Sequence, residues 1–499
     1  MRVLYLFAAS FSAIALGSLF GAAGCSSSSS GPAVDPGPAA WNRTVIRPDE
    51  STAAPSRASC TYKAGALPAE TLGTSTPIDK DIPITKIIVL MQENRSFDSY
   101  YSQFPKFANR TDVEVAQDDA TNPEQVGTAG SPTHARQHAP HKCTYDTDHS
   151  WHASHLEYDN GANDGFWQAN NDTSQPGDTG SGDRALYYYD QTDLPFYYDL
   201  ANKFGIADNY HCGLLGPTWP NRMYLYSATS FGKTSNLFPD LTNKPYPDVM
   251  TSIFDELAQR QVTFNIYADT TPGISVVYAT QAISRWGANP FKTIDGDTSG
   301  GEASLLSDLA AGTLPQVTFI DGALRDECPL GNDEHPPSNI QIGQKFVADI
   351  LIALTKSPDW KNVAFFLTYD ENGGFYDHVP PPAACSPDDT PADLEGEDAN
   401  WPGGFDRYGF RVPLLVVSPY AKKGYVSHNL YDHTSITRFI EAKFKLPALT
   451  NRDANAAIPI DFFDFQNPPY MTPPSLTEPT VDQSESDYCS TTYPKSGGF

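Results

Sequence analysis

A predicted strand that ends in two adjacent carboxylates constrains this chain more than any other segment. Residues 362–378 read Asn-Val-Ala-Phe-Phe-Leu-Thr-Tyr-Asp-Glu-Asn-Gly-Gly-Phe-Tyr-Asp-His. The apolar run predicts a buried strand. Because successive strand side chains point to opposite faces, Asp370 and Glu371 can converge only where the strand stops and the chain turns, and Gly373 and Gly374 allow that turn. The pair indicates either chemistry at the carboxyl end of a strand in an open α/β sheet or a solvated strand exit.

Other apolar runs repeat this strand pattern, and a helical pattern or a long loop follows each. Strands that alternate with helices predict an α/β fold, a three-layer α/β/α sandwich with a mostly parallel sheet. The predicted strands are residues 84–91, 203–209, 262–268, 316–320, 363–369 and 412–418, and the predicted helices are residues 221–229, 252–260, 340–354 and 433–445. Segments rich in Gly, Asn, Asp and Pro, at about 108–142, 159–184 and 380–406, are expected to be surface loops.

The N-terminus has the pattern of an export signal. Arg2 precedes an apolar stretch that ends in small residues before Cys25. We expect residues 1–24 to be a cleaved signal peptide, with the mature protein secreted or anchored to the bacterial cell envelope through a lipid on Cys25. Cleavage without lipidation and an uncleaved membrane anchor are the alternatives.

The remaining chain is expected to have three segments. A flexible Ser-, Pro- and Gly-rich tether over residues 25–58 precedes a catalytic domain over 59–465, and a Pro- and Ser-rich tail over 466–499 packs on that domain. Six further cysteines in an exported chain allow up to three disulfides, whose pairing the sequence does not specify.

The strongly acidic composition restricts the possible partners. The formal net charge is −27, from 33 basic and 60 acidic residues. This balance argues against nucleic-acid binding and against electrostatic capture by anionic membranes. It does not exclude an anionic substrate, because a bound cation can dominate the local field.

Two more predicted strand exits carry polar side chains. Glu93 and Asn94 follow the first strand and are either hard oxygen ligands for a divalent cation or a first-turn acid with a helix cap. Thr218 lies in a Gly-Pro-Thr-Trp-Pro turn before a helical pattern, where its hydroxyl faces anion-attracting backbone N–H groups or serves as an N-cap. Asn221 and Arg222 follow it and would bind phosphate oxygens, or cap and pair on the surface. Three exits together favour one shared, oxygen-rich cation site.

Several of the 11 histidines lie in Asp-rich motifs, which is typical of acids, bases and metal ligands. His149 lies in Asp-Thr-Asp-His-Ser-Trp-His, and His335 lies in Asp-Glu-His-Pro-Pro. We rank these two first. His378 and His433 are candidates for the site or for supporting positions around it.

At these residues the chain resembles the bacterial phosphoesterase family that includes phosphatidylcholine-type phospholipases C and a respiratory-burst-inhibiting acid phosphatase. The matching motifs keep the family's order over about residues 84–445. They are Gln-Glu-Asn-Arg-Ser-Phe-Asp (92–98), Asp-His-Ser-Trp (148–151), Gly-Pro-Thr-Trp-Pro-Asn-Arg (216–222), Asp-Glu-His-Pro (333–336), Tyr-Asp-Glu-Asn-Gly-Gly-Phe-Tyr-Asp-His (369–378), Arg-Val-Pro (411–413) and Asp-His-Thr-Ser (432–435).

The resemblance implies an alkaline-phosphatase-like fold and assigns roles to residues. Thr218 would be the nucleophile, and His149 and His335 would face the phosphoryl group. The phosphatase branch has Ser in place of this Thr and a further histidine that has no clear counterpart between residues 268 and 286 here, so the phospholipase branch is favoured. One divalent metal ion, calcium, zinc, magnesium or manganese, would be ligated by Glu93, Asn94, Thr218, Asp370 and Glu371.

The sequence therefore predicts an exported, metal-dependent phosphoesterase. The leading hypothesis is phospholipase C-type hydrolysis of a phospholipid to diacylglycerol and a phosphorylated head group through a phosphothreonine. The membrane would then be contacted peripherally, through the substrate and through any lipid on Cys25. The alternatives are a broad acid phosphatase acting on phosphomonoesters and a non-catalytic surface-binding lipoprotein.

Overall fold

A computed structural model describes residues 37–172, 180–237, 251–268, 278, 285, 291–293, 301–322 and 329–493. Pro36–Phe499 groups into one compact unit. The predicted signal peptide, Cys25 and Cys328 lie outside the described residues, so the expectations about them stay predictions.

An eight-stranded sheet forms the centre of the protein, with the strand order β13-β6-β12-β11-β1-β10-β8-β9. Short two-stranded pairs β14-β7, β2-β3 and β4-β5 lie outside it. The strands are β1 Lys86–Gln92, β2 Thr121–Pro123, β3 Thr133–Ala135, β4 Gln137–His138, β5 Tyr187–Tyr188, β6 Gly205–Ala207, β7 Tyr210–His211, β8 Phe264–Ala268, β9 Phe291–Thr293, β10 Val317–Asp321, β11 Val363–Tyr369, β12 Leu414–Val417, β13 Tyr425–Ser427 and β14 Tyr431–Asp432.

The main sheet is mostly parallel, as predicted. Strand β12 is the exception, because it runs antiparallel to both of its neighbours, β11 and β6. Every residue of β10, β11 and β12 is buried. Since strand side chains alternate between the two faces, complete burial means that both faces of the sheet are covered. The three-layer α/β/α class is therefore confirmed.

Helices supply the outer layers. The longest, Ile340–Lys356, begins where the Asn339 side chain accepts the Gln341 N–H, and it buries one apolar face. The α-helices are Glu50–Ala58, Pro68–Thr71, Phe97–Tyr101, Phe104–Ala108, Trp151–Tyr158, Phe166–Asn170, Pro195–Lys203, Thr218–Ser227, Ile253–Gln259, Gly301–Ala311, Ile340–Lys356, His433–Phe444, Asn451–Ala454 and Gln483–Thr492, and the 3-10 turns are Ala39–Asn42, Asp79–Asp81, Asp159–Gly161, Gly182–Leu186, Pro358–Asn362, Gly396–Asn400 and Ile460–Phe462.

The described part of the expected tether is ordered against the domain, which corrects the prediction of a wholly flexible segment. Residues Glu50–Ala58 form a helix that buries Ala53. The Arg57 guanidinium donates to the carbonyl of Thr71 at 2.6 Å. A disulfide between Cys60 and Cys385 follows directly. These contacts stabilise a segment whose composition alone suggested nothing to bury.

A second disulfide joins Cys143 to Cys489 and fixes the C-terminal helix Gln483–Thr492 to the body. Cys212 is buried and not disulfide-bonded. Of the up to three disulfides that the sequence allows, two are present among the described residues. Within the same part of the chain, no helix combines the length and the apolar character needed to cross a membrane.

Candidate active site

Two of the three predicted strand exits meet at one edge of the sheet. Strand β1 lies between β10 and β11, so the residues that follow these strands are neighbours. The backbone N–H of Asn94 donates to Oδ1 of Asp370 at 3.1 Å, which links two of the exits directly. Glu93, Asn94, Asp370 and Glu371 are all at most 2% exposed. The acidic pair is therefore not a solvated strand exit.

The predicted glycine turn follows the two carboxylates and packs against Asn94. Gly373 has φ +62°, and a Cβ there would lie 2.6 Å from Cβ of Asn94. A larger residue would therefore clash as well as strain the backbone. The Gly373 N–H donates to Oε2 of Glu371 at 2.5 Å, so the turn also orients the second carboxylate.

Thr218 is the first residue of the helix Thr218–Ser227 and is 6% exposed. Pro217 occupies the N-cap, so the alternative of Thr218 as the N-cap is not what the structure shows. Asn221 shapes this turn, because its Oδ1 accepts the Leu214 N–H at 3.0 Å and its Nδ2 donates to the Gly216 carbonyl at 2.7 Å. Asn221 was predicted to bind phosphate, but its amide holds the turn that presents Thr218.

Arg222 is committed to carboxylates. Its guanidinium donates to Oδ2 of Asp370 at 3.2 Å, to Oε1 of Glu93 at 3.1 Å and to Oδ1 of Asp321 at 3.0 Å. The arginine is 1% exposed, and the carboxylates raise the pKa of its guanidinium against the opposing effect of burial. These contacts differ from the predicted phosphate contact. Arg222 lies one helical turn after Thr218, so its contacts with Glu93 and Asp370 place the start of this helix beside two predicted metal ligands.

Two oxygens of the predicted ligand set fit a cation. Oδ1 of Asn94 and Oε1 of Glu371 are buried and have no hydrogen-bond partner among the residues that the structure describes. Buried polar atoms are rarely left without a partner, and amide and carboxylate oxygens are hard ligands. A divalent cation held by Glu93, Asn94, Thr218, Asp370 and Glu371 would satisfy both oxygens.

The two histidines ranked first come together. Their ring centroids lie 5.8 Å apart, and one ligand atom each of Asp146, His149 and His335 lie within 4.8 Å of one another. Each ring donates from Nδ1 to a backbone carbonyl, His149 to Thr147 at 2.7 Å and His335 to Pro336 at 2.6 Å. Those bonds occupy both Nδ1 atoms, so Nε2 is the atom of each ring that would meet a substrate proton or a ligand. Nδ2 of Asn94 lies 3.4 Å from Nε2 of His149, which joins the histidines to the strand exits.

Electrostatic coupling between these groups is strong. Burial raises the pKa of Glu371 to about 8, and the neighbouring Asp370 adds to this rise while His149 opposes it. Burial by itself would lower the pKa of His149, but Glu371 and Asp146 outweigh it and raise that pKa to about 10. Such shifts are typical of functional sites, where charges are gathered in a buried setting.

His378 does not join the pair. Its Nδ1 lies 2.6 Å from Oδ2 of Asp98, its Nε2 lies 2.9 Å from Oε1 of Glu114, and Arg411 pairs with Asp98 and Asp377 beside it. The predicted phosphate contact of His378 is therefore replaced by a separate ion-pair cluster. His433 lies in a supporting position, because its Nε2 donates to the carbonyl of Asp370 at 2.7 Å, and burial lowers its pKa to about 4.

Sequence reasoning missed three acidic residues here. Asp321 ends β10 in the same way as the predicted exits, so the strand-exit pattern could have found it. Asp146 lies in the histidine motif, but no role was predicted for it. Glu334 accepts hydrogen bonds from the hydroxyls of Tyr100, Tyr197 and Tyr369 at 2.6, 2.5 and 2.9 Å, and no local pattern indicates that arrangement.

A cavity of about 850 Å³ opens beside the histidine pair. Its wall includes Asp146, His149, Pro217, Asn236 and Tyr493, so it connects the histidine loop to the turn that holds Thr218. The cavity is much larger than a phosphoryl group, which leaves room for a large ester.

The family model described as the Phosphoesterase family matches residues 84–447. Non-specific phospholipase C1 of Arabidopsis thaliana is 31% identical over 411 residues, which cover 78% of this chain and 72% of the relative. Phospholipase C B of Mycobacterium tuberculosis is 30% identical over 429 residues, which cover 77% of this chain and 78% of the relative. A solved structure of an alkaline phosphatase superfamily protein from Vibrio parahaemolyticus aligns at 10% identity with a TM-score of 0.38. The alignment covers 89% of this chain and 96% of that protein's chain.

The family model and the phospholipase C relatives define an enzyme that hydrolyses phosphate ester bonds. This chain belongs to the Phosphoesterase family.

Proposed function

We propose that the protein is an exported, metal-dependent phospholipase C, which releases diacylglycerol and a phosphorylated head group through a phosphothreonine. The observation that carries this proposal is Thr218 at a helix start, tied through Arg222 to the carboxylates of Glu93 and Asp370. Relatives named phospholipase C support the substrate class, and two disulfides support export.

A divalent cation held by the five ligands would lower the pKa of the Thr218 hydroxyl and offset phosphoryl charge. The Thr218 oxygen then forms a bond to phosphorus as the bond from phosphorus to the diacylglycerol oxygen breaks.

The histidine pair moves the protons. We assign to His149 the proton that goes to the leaving alcohol, because its ring lies beside Asn94 and His335. A water molecule then attacks the phosphothreonine, its proton returns to a histidine, and Thr218 and the phosphorylated head group are released. Because Nδ1 of each ring donates to a backbone carbonyl, Nε2 is the atom that would exchange these protons.

The test is hydrolysis of phosphatidylcholine and of p-nitrophenyl phosphate by the purified protein and by Thr218→Ala. We expect turnover of phosphatidylcholine and its loss in the variant, by about a thousandfold or more. Thr218→Ser is the matched control and should keep measurable activity. Turnover of the monoester alone would instead support an acid phosphatase, absence of turnover would support a non-catalytic lipoprotein, and full activity of Thr218→Ala would refute the nucleophile.

A further inference from the structure

The C-terminal helix Gln483–Thr492 is bound to the loop that carries His149. The Cys143–Cys489 disulfide joins them covalently. Beside it, the Lys142 N–H donates to Oε2 of Glu485 at 3.0 Å, and the rings of His141 and Tyr488 stack with centroids 3.6 Å apart. Three consecutive loop residues therefore hold the helix, through a covalent bond, a hydrogen bond from the backbone and a ring stack.

The same helix also contacts the segment that follows His335. Nδ2 of Asn339 donates to Oγ of Ser486 at 3.1 Å, and the Asp482 N–H donates to Oε1 of Gln341 at 2.9 Å. The helix therefore bridges the two segments that bear the histidine pair.

The end of this helix reaches the cavity. Thr492 and Tyr493 line it together with Asp146 and His149, and the rings of Tyr493 and Tyr145 lie 6.5 Å apart between centroids. Two tyrosines from distant parts of the chain thus form an aromatic pair on the cavity wall.

We infer that the C-terminal helix completes the substrate cavity and that Tyr493 is a specificity-determining residue for the group that lies beyond the phosphoryl in a large phosphodiester. This inference rests on the proposed function. A small phosphomonoester would fill only the end of the cavity near Pro217 and His149, whereas a phospholipid would also contact the wall that holds Tyr493. Aromatic side chains give large contact areas at low cost in conformational entropy.

The test compares KM and kcat of wild type, Tyr493→Ala and Tyr493→Phe on dihexanoyl phosphatidylcholine and on p-nitrophenyl phosphate. We expect Tyr493→Ala to raise KM for the diester about five- to tenfold, with a much smaller rise for the monoester. Tyr493→Phe keeps the ring and should restore KM to within about twofold of the wild type. Circular dichroism and the melting temperature verify that both variants fold.

The two disulfides provide a matched control. Cys489→Ser removes the covalent link between the helix and the loop that carries His149, whereas Cys385→Ser breaks the other disulfide and keeps this link. We expect Cys489→Ser to raise KM for the diester and Cys385→Ser to leave it unchanged.

The experiment distinguishes failure of the proposed function from failure of the inference about Tyr493. A wild-type protein inactive on both esters contradicts the proposed function and this inference with it. An active wild type whose Tyr493→Ala variant has an unchanged KM for the diester, or equal changes for both substrates, overturns the inference alone.

Discussion

Arg222 donates from Nε to Oδ2 of Asp370 at 3.2 Å, while Oδ1 of the same carboxylate accepts the backbone N–H of Asn94. One arginine on a helix thus fixes a carboxylate that ends a strand and leads into the predicted cation site. The arrangement joins the outer helical layer to the sheet edge at the point where chemistry is expected.

Removing this arginine should be costly. Arg222→Met leaves three buried carboxylates without the guanidinium that pairs with them, and we expect the free energy of unfolding to fall by about 3–5 kcal/mol. Urea unfolding measures the loss. Lys106→Met is the control, because Lys106 and Asp118 form an exposed pair that should contribute at most about 1 kcal/mol. A variant as stable as the wild type would show that the carboxylates do not depend on Arg222.

Metal removal should inactivate the enzyme. Chelation with EDTA is expected to abolish phosphoester hydrolysis and to lower the melting temperature, since bound cations stabilise the folded state. Elemental analysis should find one divalent ion per chain. Glu371→Gln and Asn94→Ala should weaken metal affinity at least about tenfold, whereas His378→Gln, outside the ligand set, should not. Two ions per chain would contradict a site for a single cation.

Glu334 should hold His335 in place. The carboxylate of Glu334 accepts three tyrosine hydroxyls, and its backbone has φ +72° directly before His335. Glu334→Ala leaves those hydroxyls buried without an acceptor, so we expect a loss of about 3 kcal/mol in the free energy of unfolding. We also expect kcat to fall more than KM rises. Glu334→Gln keeps one acceptor and should lose less; equal effects of both variants would contradict this reasoning.

The stability of the His378 cluster should depend on pH. Burial opposes protonation of His378, but Asp98 and Asp377 outweigh burial and Arg411, and the pKa rises to about 9 from a usual 6.5. Because the pKa of His378 is higher in the folded than in the unfolded chain, its protonation stabilises the fold fully below pH 6.5. This stabilisation is lost as the pH rises through 9. His378→Gln should therefore be less stable than wild type by about 2 kcal/mol at pH 6 and nearly equal at pH 9.5, measured by urea unfolding. A pH-independent difference would contradict the assigned charge pair.

Much of the fold could be predicted from the pattern of apolar runs. The strand before Asp370 and its glycine turn were located correctly, because burial on both faces requires a continuous apolar segment. The antiparallel direction of β12 was not predicted, since a buried strand has the same composition in either direction.

Site residues that directly follow strands could be predicted from the sequence. Contacts between residues that are distant in the chain could not. Arg222 was read as a phosphate ligand because its three carboxylates come from three separate strand ends. The order around Ala53 was likewise missed, because the segments that cover it cannot be identified from local composition.

The two disulfides have a further consequence for the integrity of the molecule. Cys60–Cys385 and Cys143–Cys489 enclose overlapping stretches of the chain with sequence separations of 325 and 346 residues. A single proteolytic cut at any bond between residues 60 and 489 therefore leaves fragments that remain covalently joined. A nicked enzyme would migrate as one band without reducing agent and as two bands with it, so damage to its surface loops need not release any part of the protein.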